Sequence, residues 1–355
     1  MRRTTAAAAL VGVIFNSAPL GAQTEECATP LAPEDAAHAA DLARAGAYDI
    51  PLGLERGAQP YIVGLTFHVV RRTDGSEGID PAQLDQALID ANEAYAPLGI
   101  QFCLPGPTRF INSDAFYFNI DSTSEINALR NTGPVPGTIN CYFTPNLKVN
   151  ASTSICGISS FTFSSVQGIV MNNACTGLAS NPSTFPHEIG HYFDLFHTHE
   201  TGLGAECVSG SNCATAGDQV CDTPADPTLG TSVVNSACLY TGATQDPCTG
   251  LQYAPDPRNF MSYSRKECRD RFSDGQAGRA LGALLNLRPE LMASTNCPQP
   301  CPGDSSRNAL VDFDDITTTL ALWGQGGPIG DANGDGAVDF DDLTATLAHW
   351  GDDCP

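Results

Sequence analysis

His187, Glu188, His191 and His197 stand in one short run, His187-Glu-Ile-Gly-His191-Tyr-Phe-Asp-Leu-Phe-His197. On a helix, residues four apart share a face, so His187 and His191 can present two imidazoles to one metal ion with the Glu188 carboxylate beside it. His197 lies six positions beyond His191, which requires the helix to stop and the chain to bend back. Three neutral imidazoles and one open position describe catalytic rather than structural zinc. The chain has only 7 His in 355 residues, so histidines gathered by chance on a polar helix explain the run poorly. The chemistry implied is hydrolysis: zinc acidifies a water and polarises a carbonyl, and Glu188 takes and returns the proton.

Other candidate ligands are weaker. His199 follows His197 by two residues, where alternate side chains diverge, and is expected to line a surface or cleft. His68 falls inside an apolar run and reads as a satisfied core residue. Cys27 could cap the metal from the N-terminal segment. However, 14 cysteines is an even number, and parity favours an ordinary disulfide for it.

A second metal-binding pattern closes the chain. Asp331, Asn333, Asp335, Asp339 and Asp342 supply oxygens at positions 1, 3, 5, 9 and 12 of a loop, with Gly336 at position 6, Val338 at position 8 and the carbonyl of Ala337 at position 7. These are the needs of an EF-hand calcium loop. An earlier copy offers Asp304, Ser306, Asn308, Asp312 and Asp315. There Ala309 replaces the turn glycine and two charges are lost, so calcium is expected to bind more weakly. The copies align at a period of 27: Val-Asp-Phe-Asp-Asp occurs at 311–315 and 338–342, and Trp-Gly at 323 and 350.

The elements that must position these residues follow from pattern. Tyr61 to Val70 is β-rich and reads as a buried strand; Pro81 to Leu98 carries apolar residues at helical spacing; short strands fit Ile100–Leu104, Ile139–Phe143 and Gly168–Met171. A mixed α/β sheet domain with the metal helix packed beneath it is expected. Beyond His197 the chain is loop-rich and holds Cys207, Cys213, Cys221, Cys238, Cys248 and Cys268, which implies disulfide staples rather than a large core. A helix over Gln276–Asn286 precedes a Cys-Pro-Gln-Pro-Cys-Pro linker from Cys297, and another helix is expected over Leu343–His349.

Composition sets the compartment. Arg2 and Arg3, the apolar stretch Ala6 to Phe15 and small residues up to Ala22 form a secretory signal, too short for a membrane span. Residues 23–58 are rich in Ala, Pro and acidic residues, with a weak helical stretch at Ala36–Ala45, and read as a pro-segment or poorly packed lead-in. The net charge of -23 argues against nucleic acid or anionic membrane as partner. From Cys297 onward there are eleven Asp and a single Arg, so nearly half of that charge sits in the tail.

The run His187 to His197 resembles the long zinc signature of the metzincin peptidases. Gly217-Asp-Gln-Val-Cys-Asp-Thr-Pro224 and Asn259-Phe-Met-Ser-Tyr263 are similar to the pappalysin branch, and the resemblance spans roughly residues 60 to 290. It implies a two-lobed domain with the cleft between lobes, zinc on three His, and cleavage of peptide bonds. It also implies that Met261 is the methionine of the turn under the metal, that Tyr263 lies near the zinc and can hydrogen-bond a developing oxyanion, and that Asp218 and Thr223 hold a structural calcium. Asp194 stands where the family has Gly. Asp tolerates left-handed backbone at a cost of about 1 kcal/mol, so the bend towards His197 stays possible. The tail resembles dockerin modules, which implies a cohesin-type anchoring partner.

The expectation is therefore a signal peptide (1–22), a lead-in (23–58), a metzincin-type α/β (α+β) catalytic domain (59–296) and a small all-α calcium-loop domain (297–355), forming a secreted zinc endopeptidase acting on protein or peptide substrates. The competing readings are an inactive secreted metal-binding or anchoring protein and a zinc hydrolase of non-peptide amides.

Overall fold

The computed structural model describes residues 24–29, 31–51, 60–150, 152–292, 303–306, 310–324, 330–333 and 337–352. The signal sequence and most of the expected linker lie outside these, as do Asp335 and Asn308. The N-terminal strand β1 (Thr24–Cys27) and helix α1 (Pro33–Arg44) precede β2 (Tyr61–Arg71), α2 (Pro81–Tyr95), β3 (Ile100–Cys103), β4 (Arg109–Asn112), α3 (Asp114–Phe118), α4 (Thr123–Arg130), β5 (Ile139–Thr144), β6 (Ser154–Ile158) and β7 (Ile169–Asn172). Helix α5 (Thr184–Tyr192), which carries His187, Glu188 and His191, and α6 (Asp274–Gly282) follow, then α7 (Phe313–Ala321) and α8 (Phe340–Ala348) in the tail.

The strands form one seven-stranded sheet in the order β1-β6-β7-β5-β2-β3, with β4 pairing the second half of β2. The pairs are parallel except β6 with β7. Strand β2 is central and buried on both faces, which is why it reads as a continuous apolar run. One face carries Val63, Leu65, Phe67 and Val69 into a core shared with Phe143, α2, α5 and α6; the other carries Val70 against Tyr142, Ile126 and Leu129. His68 faces that second layer, stacked on Tyr142 with Nε2 at 2.9 Å from Asn140 Oδ1, a satisfied core histidine as the sequence implied.

Helix α2 starts where Asp80 accepts from Ala82 N ahead of Pro81, and ends in a short 3-10 turn before Gly99, whose φ of 72° only glycine adopts cheaply. Helix α6 starts at Asp274 and closes in a π turn over Ala283–Leu287. The lead-in departs from the expectation of poor packing. Tyr48 lies against α6, where a Cβ on Gly282 would meet its carbonyl oxygen at 2.0 Å, and Asn286 Nδ2 donates to the carbonyls of Ala47 and Asp49.

The loop-rich half is stapled by Cys207–Cys248, Cys213–Cys221 and Cys238–Cys268, and Cys156–Cys175 ties β6 to the turn after β7. In the tail, α8 starts three residues before the expected Leu343 because Asp339 caps Asp341 N and forms a capping box with Asp342; Asp312 and Asp315 do the same for α7.

The rings of Phe67, Phe143 and Phe185 interlock between β2, β5 and α5. Phe143→Ala should therefore lower unfolding stability by about 3–5 kcal/mol in chemical denaturation.

Candidate metal centre and active site

Helix α5 carries His187, Glu188 and His191 wholly inside the protein. It ends at Tyr192, and two residues further on Asp194, with a φ of 60°, turns the chain back; Leu195 N donates to Gly190 O across the bend. His197 then returns to the cluster, and the Nε2 atoms of His187 and His197 stand 3.1 and 3.0 Å from that of His191. His187 Nδ1 is 2.7 Å from Phe260 O and His191 Nδ1 is 2.8 Å from Leu195 O. Carbonyls only accept, so both Nδ1 atoms carry the proton and both Nε2 atoms turn lone pairs inward. Burial, and then its neighbours' charge, keeps each of His187 and His197 well below the usual imidazole range, and burial brings His191 down to about 3. Neutral imidazoles with converging lone pairs fit a divalent cation.

Asp194 does more than tolerate its backbone. Its carboxylate accepts from Thr162 N at 2.8 Å, Thr162 Oγ1 at 2.5 Å and the Tyr48 hydroxyl at 3.0 Å, so the residue in the glycine position anchors both the loop after β6 and the lead-in. Met261 is fully buried under the helix, where a Cβ on Gly190 would meet its sulfur at 2.5 Å, consistent with packing rather than ligation.

Tyr263 lies with its ring centroid 4.7 Å from that of His197 and 4.4 Å from that of His199, and its hydroxyl donates to Cys27 O at 2.8 Å. His199 lines the cleft as expected.

The expectation for Cys27 is corrected. It is a free thiol, buried, with Sγ 3.4 Å from His191 Nε2, and it completes a four-residue ligand cluster with the three histidines. Parity misled because a second thiol, Cys141, is also free, sealed in the core on β5. Strand β1 brings Cys27 there by pairing in parallel with β6, Cys27 opposite Gly157. Burial, then the Glu188 charge, pushes the Cys27 thiol well up. Thr29 Oγ1 donates to Glu188 Oε2 at 3.3 Å and accepts from Ser159 N at 2.9 Å.

Arg130, at the end of α4, was not singled out by sequence. It is buried beside the cleft, its Nη2 donating to Ile158 O at 2.9 Å. Burial brings its pKa down to about 10, with Glu188 the leading influence in the other direction, so it stays charged at neutral pH.

Asp218 and Thr223 come together: Thr223 Oγ1 lies 2.9 Å from both Asp218 carboxylate oxygens. Glu206, which sequence reasoning missed, faces them, its Oε2 2.8 Å from where a Cβ on Gly217 would lie. Burial raises Asp218 to about 7 and Glu206 to about 7.

In the tail, Asp342 Oδ1 accepts from Ala332 N and Asn333 N while Oδ2 accepts from Asp339 N. Asp315 receives Ser306 N and Asp312 N in the same way. Asp304 and Asp331 are both largely buried, and the two halves repeat the same contacts.

A buried three-histidine cluster beside a glutamate, on a helix beneath a mixed sheet, defines the metallopeptidase class. The family model described as pregnancy-associated plasma protein-A, peptidase family M43, matches residues 139–285. An extracellular metalloprotease of Pyricularia oryzae is 31% identical over 62% of this chain and 74% of its own length, and extracellular metalloprotease 1 of Coccidioides posadasii is 30% identical over 62% and 75%. The fold is similar to that of mature mirolysin from Tannerella forsythia, solved in complex with a cleaved peptide, at a TM-score of 0.50 and 20% identity, covering 68% of this chain and 99% of that one. The chain belongs to the pregnancy-associated plasma protein-A family of metalloendopeptidases.

A Cβ on Gly157 would lie 2.6 Å from Glu188 Cγ and Oε1. Gly157→Ala should lower the thermal midpoint, because the enclosed Glu188 side chain must give way at a cost of about 1–3 kcal/mol, and the shifted carboxylate should cut peptidase turnover by about a hundredfold in initial-rate assays.

Proposed function

We propose that the protein is a secreted zinc endopeptidase held latent by its own lead-in. The observation that carries this is the convergence of His187, His191 and His197 with Glu188 beside them and Cys27 in the fourth position. His187, His191 and His197 would hold the zinc. Zinc bound there supplies Lewis acidity, which polarises a peptide carbonyl and makes water acidic near neutral pH. Glu188, enclosed next to the cluster, takes the proton of the attacking water and delivers it to the leaving amine. Tyr263 already donates to a peptide carbonyl, that of Cys27, beside the histidines; with substrate in place the same hydroxyl stabilises the developing oxyanion. The extracellular relatives and the apolar N-terminal stretch support export, and no described helix is long and apolar enough to cross a membrane.

Latency follows from the lead-in. Cys27, Ala28 and Thr29 line the cleft beside the histidines, β1 covers the edge of β6 where an extended peptide would otherwise pair, and Thr29 engages Glu188. Asp218 and Thr223, with Glu206, are proposed to hold calcium in the catalytic domain, since closely placed buried carboxylates favour a divalent cation. The tail is proposed as a calcium-binding, dockerin-like module, on the regular spacing of Asp331, Asn333, Ala337, Asp339 and Asp342, with a cohesin-like partner.

Two outcomes test this. Glu188→Gln should keep zinc in metal analysis while losing casein and peptide cleavage by at least about a thousandfold; retained turnover removes Glu188 from the chemistry. At pH 6 the histidines are neutral and the Cys27 thiol protonated. Zinc binding to the metal-free chain should therefore release about one proton, and markedly less in Cys27→Ala, measured by titration calorimetry in buffers of different ionisation heat. Equal release from both would remove Cys27 from the metal.

A further inference from the structure

The cleft encloses about 870 Å³, and Arg130, Ser159, Thr29, His197 and Tyr263 are among the residues lining it. The chain carries 40 acidic and 17 basic residues, so a guanidinium built into this wall needs a reason. Two other ionisable side chains that line it are carboxylates. Asp35 sits on the lead-in helix, and Glu200 turns its Oε1 to the N–H groups of Thr201 and Gly202.

Arg130 is 6% exposed and held rigidly. Its own carbonyl accepts from Tyr142 OH at 2.7 Å, its Cγ runs 3.4 Å from the place a Cβ would take on Gly168, and Nη2 is fixed to Ile158 O. Among the described residues its Nε has no hydrogen-bond partner, and neither has the hydroxyl of Ser159, itself 5% exposed and one residue beyond the carbonyl that anchors Arg130. Burying such groups unpaired costs free energy that a bound acceptor would recover. The lead-in meets this corner with an uncharged group: Thr29 Oγ1 accepts from Ser159 N. When the lead-in leaves, that N–H joins the unpaired donors.

We propose that Arg130 and Ser159 form a carboxylate-recognising subsite, so that the enzyme favours peptides bearing Asp or Glu close to the cut bond. A carboxylate has the acceptor capacity that an Nε–H, a hydroxyl and a backbone N–H require, and a charge-assisted contact of this kind is among the stronger ones available to a substrate side chain. The fixed guanidinium also offsets the repulsion that a chain of net charge -23 exerts on acidic peptides.

The proposal rests on the peptidase reading, and its test separates the two. Zinc-loaded Cys27→Ala protein, with its lead-in nicked by limited proteolysis so that Thr29 can leave Ser159, is given peptide pairs that differ only in Glu against Gln at each of three positions on either side of the scissile bond. At one position kcat/KM for Glu should exceed that for Gln by roughly tenfold or more, and Arg130→Gln in the same background should bring the ratio close to one. Arg130→Lys, which keeps the charge but not the fork, should retain part of the preference and guards against a folding failure of the first variant. Binding of the same pairs by fluorescence polarisation should show the same ratio. Cleavage or binding without acidic preference at any position overturns the subsite and leaves the peptidase standing. Absence of all cleavage sinks the peptidase reading, and the binding ratio then decides the subsite. An Arg130→Gln effect confined to a shifted pH profile would make Arg130 an electrostatic partner of Glu188 and overturn the proposal.

Discussion

Three imidazole nitrogens whose lone pairs face one another within about 3 Å repel unless a cation lies among them, and much of the catalytic domain exists to impose that arrangement. Phe260 O and Leu195 O fix two tautomers, Met261 fills the space under Gly190, and the aromatic layer of Phe67, Phe143 and Phe185 presses the helix against the sheet. A buried cluster of this kind destabilises the metal-free protein and is relieved by the ion, so binding and folding share free energy.

The position that permits His197 to return to the other two histidines is Asp194. A left-handed non-glycine residue costs about 1 kcal/mol, and here its side chain collects three donors in return. The bend that brings His197 home is thereby coupled to Thr162 and, through Tyr48, to the lead-in. A feature that reads as a departure from the family pattern is a joint between helix α5 and the lead-in.

The convergence of His187, His191 and His197 was legible because spacing along a helix and the following turn is local information. Strands β2, β5 and β7 were legible because burial on both faces leaves a continuous apolar signature. Strand β1, with the sequence Thr-Glu-Glu-Cys, was not: its place is set by the unpaired edge of β6, which no pattern within the four residues reveals. Helix α4 did carry a readable signal, since Ser122 Oγ accepts from Glu125 N at its start while the Glu125 carboxylate accepts from Asp121 N and the Ser122 hydroxyl. Arg130 carried none, because an arginine in the last turn of a short polar helix looks like surface until the cleft is built around it. Cysteine parity failed for Cys27 because Cys141 is a small core residue rather than a bridge. The tail's capping boxes repeat as the 27-residue period implied.

The lead-in reaches the metal corner at Cys27 and is fastened again, far along the chain, by Tyr48 on Asp194 and by Asn286 on Ala47 and Asp49. On the latency proposed above, a thiol tethered in this way would compete for the cation at an effective molarity set by the connecting chain, on the order of millimolar, whatever the bulk concentration of the protein. One backbone scission between the two fastenings would turn that unimolecular closure into a bimolecular one. Dilution into the surroundings then becomes the switch, and a crowded producer and a dispersed product would experience the same polypeptide as two different catalysts.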